Sequence, residues 1–148
     1  MRYRCQICGD DFKLPWDRDS SYFPLVCSGK CFAKLMREED IYKNPEKEFP
    51  KQVKKFYGQN ESKRSQYEVR MADLLDRLKI KYQYEPYIFT LSDKSGYLPD
   101  FYLPRSKIFL EVKGLKYSEG MIKFKRFCLE YCYRNYLVPL PVLQIISK

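Results

Sequence analysis

Four of the six cysteines in this 148-residue chain lie within its first 31 residues: Cys5, Cys8, Cys27 and Cys31. Their spacing, Cys-x2-Cys followed by Cys-x3-Cys, is typical of a structural site in which four thiolates bind one zinc ion. A segment of about 40 residues cannot bury enough apolar surface to fold alone, and tetrahedral zinc supplies roughly 10 kcal/mol or more of folding free energy. We therefore predict a zinc-binding module in residues 1–43, with disulfide pairing as the alternative.

The second cysteine pair leads directly into a predicted helix. Apolar residues recur from Phe32 to Ile41 at helical spacing, and Pro45 ends the pattern. The run Cys27-Ser28-Gly29-Lys30-Cys31 before them resembles the second half of a treble-clef or zinc-ribbon module. Residues 44–61 are polar and interrupted by Pro and Gly, so we predict a basic linker there.

The chain carries 28 Lys and Arg residues against 19 Asp and Glu residues, a net charge of +9. This balance favours a nucleic acid as partner, because a protein that neutralises phosphates releases counterions and gains sequence-independent affinity. Six basic residues of the module and linker are candidates for contacting a DNA backbone: Lys30, Lys34, Arg37, Lys51, Lys54 and Lys55. The alternative is that the module only covers the rest of the chain or forms a dimer interface.

No charged-then-apolar signal sequence is evident, and no apolar run approaches the roughly 18 residues that a membrane span requires. The sequence therefore predicts a soluble protein of the reducing cytoplasm, with no membrane partner. Clustered cysteines in that compartment favour metal over disulfides. Cys128 and Cys132, which stand apart near the other end, are predicted to be reduced core residues.

Residues 62–148 show a regular succession of helix and strand patterns. Ser62 is a predicted N-cap for a helix over 63–79, and a second helix is predicted after Ser118 and Glu119. The inner face of this second helix is predicted to carry Ile122, Phe124, Phe127, Cys128, Tyr131 and Cys132. Strands are predicted at 82–91, 97–103, 108–112 and 142–146, with turns at 92–96 and 104–107. This order predicts an α/β domain in which the second helix is a crossover that places the last strand in the same sheet.

Acidic residues collect on the predicted strands. Side chains alternate along a strand, so Glu111 and Lys113 point to one face of the sheet. If Asp100 on the neighbouring strand faces the same way, two carboxylates come close together. Such a pair repels itself unless a cation lies between the two groups, and hard oxygen ligands suit Mg²⁺ or Mn²⁺.

Three further polar residues are candidates for the same site. Glu68 lies on the stripe of the predicted helix that faces the sheet, where an unpaired carboxylate is costly. Glu85 on the first predicted strand could join the acidic cluster or form a structural salt bridge. Gln144, on the predicted last strand, could touch a substrate or be a polar residue of an edge strand.

The order Glu68, Pro99-Asp100 and Glu111-Val112-Lys113, on a helix and two strands, resembles the PD-(D/E)xK nuclease superfamily. Within that superfamily, residues 67–114 are similar to junction-resolving endonucleases of phages and archaea. The runs that carry this similarity are Tyr84-Glu85-Pro86 and residues 99–104. The resemblance covers residues 62–146 and leaves the cysteine-rich third of the chain outside it.

The resemblance implies a restriction-endonuclease-like core with a mixed four-stranded sheet, and Mg²⁺-dependent hydrolysis of phosphodiester bonds in DNA. It implies Asp100, Glu111 and the backbone carbonyl of Val112 as metal ligands. Glu68 would bind a second ion or position a water, and Lys113 would orient or deprotonate the nucleophile or neutralise developing charge.

The resemblance further implies a homodimer that cuts opposite strands of branched DNA, such as a Holliday junction, in a prokaryotic or phage-infected cell. Two alternatives stay open. One is a sequence-selective restriction or homing-type endonuclease whose zinc module contacts bases, and the other is a non-catalytic DNA-binding protein on the same fold.

Overall fold

The computed structural model describes residues 2–14, 23–39, 45–49, 53–55, 65–113, 119–131 and 133–148. The helices in these ranges are α1 (Gly29–Arg37), α2 (Pro45–Glu48), α3 (Gln66–Arg77), α4 (Glu119–Tyr131) and α5 (Leu140–Ile146). The strands are β1 (Arg2–Arg4), β2 (Asp11–Lys13), β3 (Lys54–Lys55), β4 (Gln83–Tyr84), β5 (Tyr87–Thr90), β6 (Gly96–Tyr97), β7 (Phe101–Leu103), β8 (Ile108–Lys113) and β9 (Arg134–Pro139). None of the helices described here has the length and apolar character needed to cross a lipid bilayer.

The strands form three sheets. β1 and β2 make an antiparallel hairpin, and β3 pairs with β5, which pairs with β6. The third sheet has the order β4-β7-β8-β9, in which β4, β7 and β8 pair antiparallel and β9 runs parallel to β8. α4 lies between β8 and β9 in the chain and supplies the crossover that a parallel pair needs. The predicted mixed α/β architecture with a four-stranded mixed sheet is therefore confirmed.

α3 begins at Gln66 instead of residue 63. Its N-cap is Ser65, whose hydroxyl accepts a hydrogen bond from the backbone N–H of Glu68 at 3.2 Å. The predicted cap, Ser62, lies outside the described residues. Both serines satisfy the N-cap preference, so residue type alone did not separate them. The buried face of α3 is the predicted one, with Met71, Ala72, Leu74 and Leu75.

Two predicted strands are each interrupted. The segment 82–91 forms β4 and β5, and the segment 97–103 forms β6 and β7. The two halves of each segment pair in different sheets, β4 with β7 and β5 with β6. Glu85 has a left-handed backbone with φ 46°, and Pro86 has no N–H to donate, so a regular strand cannot continue through them.

The prediction of a last strand at 142–146 is wrong, because this segment belongs to α5 and the fourth strand is β9. Pro139 is the N-cap of α5, and Pro141 lies in the first turn, where a missing N–H costs no hydrogen bond. The two prolines therefore favour the start of a helix at this position. Gln144 consequently lies exposed on α5 and not on a strand.

α4 confirms the second predicted helix, but one residue of its predicted inner face is misplaced. Phe124 and Phe127 are buried, whereas 64% of Ile122 is exposed. Ile122 lies two positions before Phe124, about 200° around the helix, so the two cannot share a face. Ser118 and Cys132 lie outside the described residues.

One hydrophobic core joins the N-terminal segment to the four-stranded sheet. Tyr3 and Phe32 belong to the same buried cluster as Met71 and Leu110. α1 also approaches α5 so closely that a Cβ at Gly29 would lie 2.4 Å from a backbone oxygen of α5. The cysteine-rich segment is thus packed against the rest of the described structure, and its folding is tied to the sheet through shared apolar contacts.

A second core lies around Phe89 on β5 and is mostly aromatic. The Phe89 ring contacts the rings of Phe109 and Phe127 at centroid distances of 5.5 and 4.7 Å. Phe49 and Val53, from the segment predicted as a linker, pack against this core. The described part of residues 44–61 therefore lies on the second core, and β3 extends the sheet of β5 and β6.

Candidate functional site

Three carboxylates from three separate elements meet at one end of the four-stranded sheet. Glu68 lies in the first turn of α3, Glu85 between β4 and β5, and Asp100 immediately before β7. One carboxylate oxygen from each residue lies within 4.8 Å of the other two. Asp100 is buried, and the other two acids are half-buried. Hard oxygen ligands in this arrangement could hold a metal ion.

Asp100 and Glu111 are linked through the backbone of their strands. The N–H of Val112 donates to Oδ2 of Asp100 at 2.9 Å, and the N–H of Asp100 lies 3.4 Å from Oε2 of Glu111. The ammonium of Lys113 lies 2.9 Å from Oε1 of Glu111. Glu111 and Lys113 therefore meet on one face of β8, as side-chain alternation predicted.

Two tyrosines that the sequence did not single out bind these acids. The hydroxyl of Tyr97 donates to Oε2 of Glu111 at 2.8 Å, and the hydroxyl of Tyr84 donates to Oε2 of Glu68 at 2.5 Å. Both oxygens of Glu111 are thus engaged by protein groups. Glu85 joins Glu68 and Asp100 in the close cluster instead of Glu111.

Burial and mutual repulsion perturb the protonation of these groups. Burial raises the pKa of Asp100 well above its usual value, and the charges of Glu111 and Glu68 raise it further. Burial also raises the pKa of Glu111, although the ammonium of Lys113 partly offsets this effect. Burial lowers the pKa of Lys113, but the carboxylate of Glu111 outweighs that effect, so the pKa is raised. Lys113 is therefore a cation at neutral pH, and the acids favour either protons or a bound cation.

Glu85 reaches the cluster through an unusual backbone conformation. Its φ of 46° lies in the left-handed region, which costs a non-glycine residue roughly 1–2 kcal/mol. The N–H of Glu85 donates to the carbonyl oxygen of Asp100 at 2.8 Å, so the turn is held against that residue. Because the turn breaks strand alternation, consecutive Tyr84 and Glu85 can both contribute to the acidic cluster.

Two substitutions of Glu85 separate the backbone effect from the carboxylate. The free energy of unfolding of the Glu85→Gly variant should be about 1 kcal/mol higher than that of the Glu85→Ala variant. Glycine adopts this φ without strain, whereas alanine does not. Both variants should lose the same share of affinity for Mn²⁺ in a calorimetric titration, because both lack the carboxylate. Equal stability would mean that this backbone carries no strain. Undiminished Mn²⁺ affinity in both variants would remove Glu85 from the site.

The cysteines of the N-terminal segment form the second cluster. Four sulfurs lie within 4.8 Å of one another, those of Cys5, Cys8, Cys27 and Cys31. All four are free thiols, as is Cys128 on α4. The Sγ–Sγ distance is 3.5 Å for Cys8 and Cys27 and 3.8 Å for Cys27 and Cys31. Tetrahedral coordination with metal–sulfur bonds of about 2.3 Å separates sulfurs by about 3.8 Å, so the cluster has the size to hold one such ion.

Two local structures present these sulfurs. Cys5 and Cys8 lie on the tight turn between β1 and β2, where Gly9 has φ 83° and its N–H donates to the carbonyl of Cys5 at 3.0 Å. Cys31 lies in the first turn of α1, and its N–H donates to the capping hydroxyl of Ser28 at 3.2 Å. A knuckle followed by a helix N-terminus is the arrangement that the spacing predicted.

The pKa values of two of these thiols are shifted in opposite directions. Burial raises the pKa of Cys5, but backbone N–H groups of Cys8 and Ile7 outweigh this effect and lower it to about 6. A backbone N–H from Asp10 lowers the pKa of Cys8, but desolvation and the neighbouring sulfur of Cys27 raise it to about 12. The sulfurs are thus close enough to oppose simultaneous ionisation, and a cation among them would remove that opposition.

The basic residues predicted to contact DNA lie in two places. Lys30, Lys34 and Arg37 line one shallow pocket beside α1. Lys54–Lys55 forms the exposed strand β3, and Lys51 lies outside the described residues. The structure therefore groups the three residues of the module on one surface.

Comparison of the chain with protein-family models, with curated proteins and with solved structures found no match. What the acidic and cysteine clusters do must therefore be argued from their own chemistry.

Proposed function

We propose that the chain is a metal-dependent DNA endonuclease that hydrolyses phosphodiester bonds. The observation that carries this proposal is the meeting of Glu68, Glu85 and Asp100 next to the ammonium of Lys113, in a protein of net charge +9. Phosphodiester hydrolysis needs oxygen ligands for a divalent cation and positive charge near the attacked phosphate. The cluster combines both.

The order of the elements supports the same proposal. If β5 and β6, which belong to another sheet, are left aside, α3, the strands β4, β7 and β8, α4 and β9 follow in the order expected for a restriction-endonuclease-like core, which we propose for residues 62–148. In sequence, Asp100, Glu111 and Lys113 resemble the PD-(D/E)xK motif. Glu85 is an additional acid that the motif does not include. It contributes a carboxylate oxygen to the cluster with Glu68 and Asp100, whereas Glu111 does not.

The three clustered acids would hold Mg²⁺ or Mn²⁺, and the carbonyl of Val112 would complete the ligand set. When bound, the cation stabilises negative charge on the phosphate oxygens and lowers the pKa of water. Asp100 is positioned for this task by the N–H of Val112, and Glu68 by the hydroxyl of Tyr84. The hydrogen bonds restrict how the carboxylates can rotate, so the oxygens are preorganised for a cation.

Lys113 and Glu111 act as a pair. The raised pKa of Lys113 keeps it protonated, so we assign it the neutralisation of charge on the phosphate instead of proton abstraction from water. Glu111 holds the ammonium at 2.9 Å, and Tyr97 holds Glu111 from the other side. Glu111 thus positions the cationic side chain and, through the N–H of Asp100, the strand that carries the metal-binding acid.

For the four-cysteine cluster we propose a structural Zn²⁺ ion. The sulfur separations fit tetrahedral coordination, and four thiolates leave no open position for a substrate. Four clustered thiolates bind a metal most readily in a reducing compartment, which we propose to be the cytoplasm of a prokaryotic or phage-infected cell. The basic surface of Lys30, Lys34 and Arg37 would contribute affinity for the DNA backbone.

We propose branched DNA as the substrate and a homodimer as the active form, since two sites are needed to cut both strands of a junction. Purified protein would be offered a four-way junction, a linear duplex and a supercoiled plasmid, each with Mg²⁺ or EDTA. We expect Mg²⁺-dependent cutting of the junction alone. Discrete plasmid fragments would instead indicate a sequence-selective endonuclease. Cutting of none of the three would contradict the proposal and favour a non-catalytic DNA-binding protein.

A further inference from the structure

A positively charged cleft lies outside the acidic centre and the cysteine cluster. It has a volume of about 510 Å³ and opens between β2, α3, α5 and the residues that follow α5. Its polar lining consists of Lys13, Arg70, Gln144, Ser147 and Lys148, and no acidic residue is among the described residues that line it. A concave surface with cations from three elements attracts a polyanion more strongly than cations scattered singly.

The hairpin next to this cleft concentrates positive charge further. Arg2 on β1 and Lys13 on β2 are direct cross-strand partners, and both side chains are exposed. Like charges directly opposite each other on antiparallel strands destabilise the pair. An anion bound at Lys13 would relieve this repulsion, which the exposed carboxylate of Asp11 on the same face of β2 offsets in part.

The cleft shares α3 with the acidic centre, although none of the clustered acids is among the described residues that line it. Glu68 lies in the first turn of α3, and Arg70 follows it by about 3 Å along the helix axis but about 200° around it, so the two side chains lie on different faces of the helix. α5 follows β9, whose last residue, Pro139, is the register partner of Lys113. Both helices that border the cleft therefore begin at the end of the sheet where the acids meet.

We propose that this cleft binds the sugar–phosphate backbone of duplex DNA at a surface separate from the acidic centre, an inference that rests on the proposed function. Lys13 and Arg70 neutralise phosphates, and the amide of Gln144 donates a hydrogen bond to a phosphate oxygen. Because Lys13 belongs to the hairpin that carries Cys5 and Cys8, the cysteine module contributes directly to binding the substrate.

The test measures binding of a fluorescent linear duplex by anisotropy over a series of salt concentrations. The parent is the full-length Asp100→Asn variant, which retains the cleft but is not expected to cut. Lys13→Ala and Arg70→Ala are made singly and together in this parent, and Lys81→Ala, an exposed lysine outside the cleft, is the matched control. Lys13, Arg70 and Lys81 are all exposed, so their replacement in this parent should leave folding unaffected.

Each cleft variant should lower affinity roughly 5- to 10-fold near 0.1 M salt and reduce the slope of log K against log salt by about 1, and the double variant by about 2. Lys81→Ala should leave the slope unchanged. An unchanged slope in the double variant, or an equal loss in Lys81→Ala, would overturn the proposal, as would displacement of the duplex by polyglutamate at equal charge. Failure of the wild-type chain to cut any DNA would contradict the proposed function without altering these binding results.

Discussion

Cys27→Ser is expected to unfold the whole chain at 25 °C, and not only its first 43 residues. Structural zinc contributes roughly 10–16 kcal/mol, which matches or exceeds the entire stability of about 5–15 kcal/mol of a typical domain. Tyr3 and Phe32 of the cysteine-rich segment share a buried cluster with Met71 of α3 and Leu110 of β8. If the cluster holds the proposed Zn²⁺ ion, its loss therefore removes support from the sheet as well as from the module.

Circular dichroism in the near ultraviolet, which reports the packed aromatic core around Phe89 and Phe127, measures this loss. We expect the signal to disappear in Cys27→Ser and in wild-type protein treated with a zinc chelator. Cys128→Ser makes the same chemical change at a half-buried position on α4 and should cost only about 1 kcal/mol. Retention of the aromatic signal in the chelated protein would mean that the two parts fold independently and that the shared core contributes little.

Asp100→Asn should abolish Mg²⁺-dependent cutting and at the same time stabilise the metal-free protein. The substitution removes a negative oxygen from the cation site, and we expect the cutting rate to fall by about 10²–10³-fold or more. Asparagine keeps an oxygen that can accept the hydrogen bond from the N–H of Val112. It also removes a buried charge, so Tm should rise by about 3 °C, equivalent to about 1 kcal/mol.

The pH dependence of this stabilisation has a definite sign. Burial, followed by the charges of Glu111 and Glu68, raises the pKa of Asp100 in the folded state. An acid of this kind stabilises the fold fully below its unfolded pKa of about 4, and that contribution is lost as the pH rises through the folded pKa. In the metal-free state, the advantage of Asp100→Asn over wild type should therefore grow above about pH 4. Added Mg²⁺ should reverse the order of the two Tm values at neutral pH.

Asp73→Asn, the same substitution at an exposed position of α3, is the matched control. It should change neither the cutting rate nor the response of Tm to Mg²⁺. If Asp100→Asn cuts DNA at the wild-type rate, Asp100 is not a ligand of the catalytic ion. If its Tm in EDTA falls below that of the wild type, the carboxylate is already compensated by groups of the protein.

The part of the site that depends on the alternation of side chains along a strand was predictable from the sequence. Glu111 and Lys113 are separated by one residue on an uninterrupted strand, so their meeting on one face needed only the period of a strand. The pairing of β7 with β8 then brings Asp100 next to Glu111, as the short turn between the strands predicted. The sulfur cluster was similarly predictable, because Cys-x2-Cys and Cys-x3-Cys each place two sulfurs within one turn.

The role of Glu85 and the tyrosines was not predictable in this way. Strand alternation assigns Tyr84 and Glu85 to opposite faces, and nothing in their residue types indicates a left-handed φ. Tyr97 was assigned to one continuous strand with Asp100, whereas the chain leaves one sheet and enters another between them. Such breaks depend on which strands compete as partners, and that competition is a property of the tertiary structure.

The last strand illustrates a competition between two local signals. Residues 142–146 are apolar and β-branched enough to form a strand, and prolines such as Pro139 and Pro141 are also common just after the end of a helix. In the structure both prolines lie at the start of α5, a position that favours proline as much as the end of a helix does. The strand that pairs with β8 is therefore formed by Arg134–Pro139. Gln144 therefore lines the basic cleft, whereas the sequence had predicted it on a strand of the sheet.

The proposed activity depends on a divalent cation bound by the acids at the end of the sheet. Anomalous X-ray diffraction from crystals soaked in Mn²⁺ tests this directly. We expect one strong peak within roughly 2.0–2.6 Å of carboxylate oxygens of Glu68, Glu85 and Asp100. Absence of a peak there at saturating Mn²⁺, or Lys113 occupying the space between the acids in its place, would contradict the account.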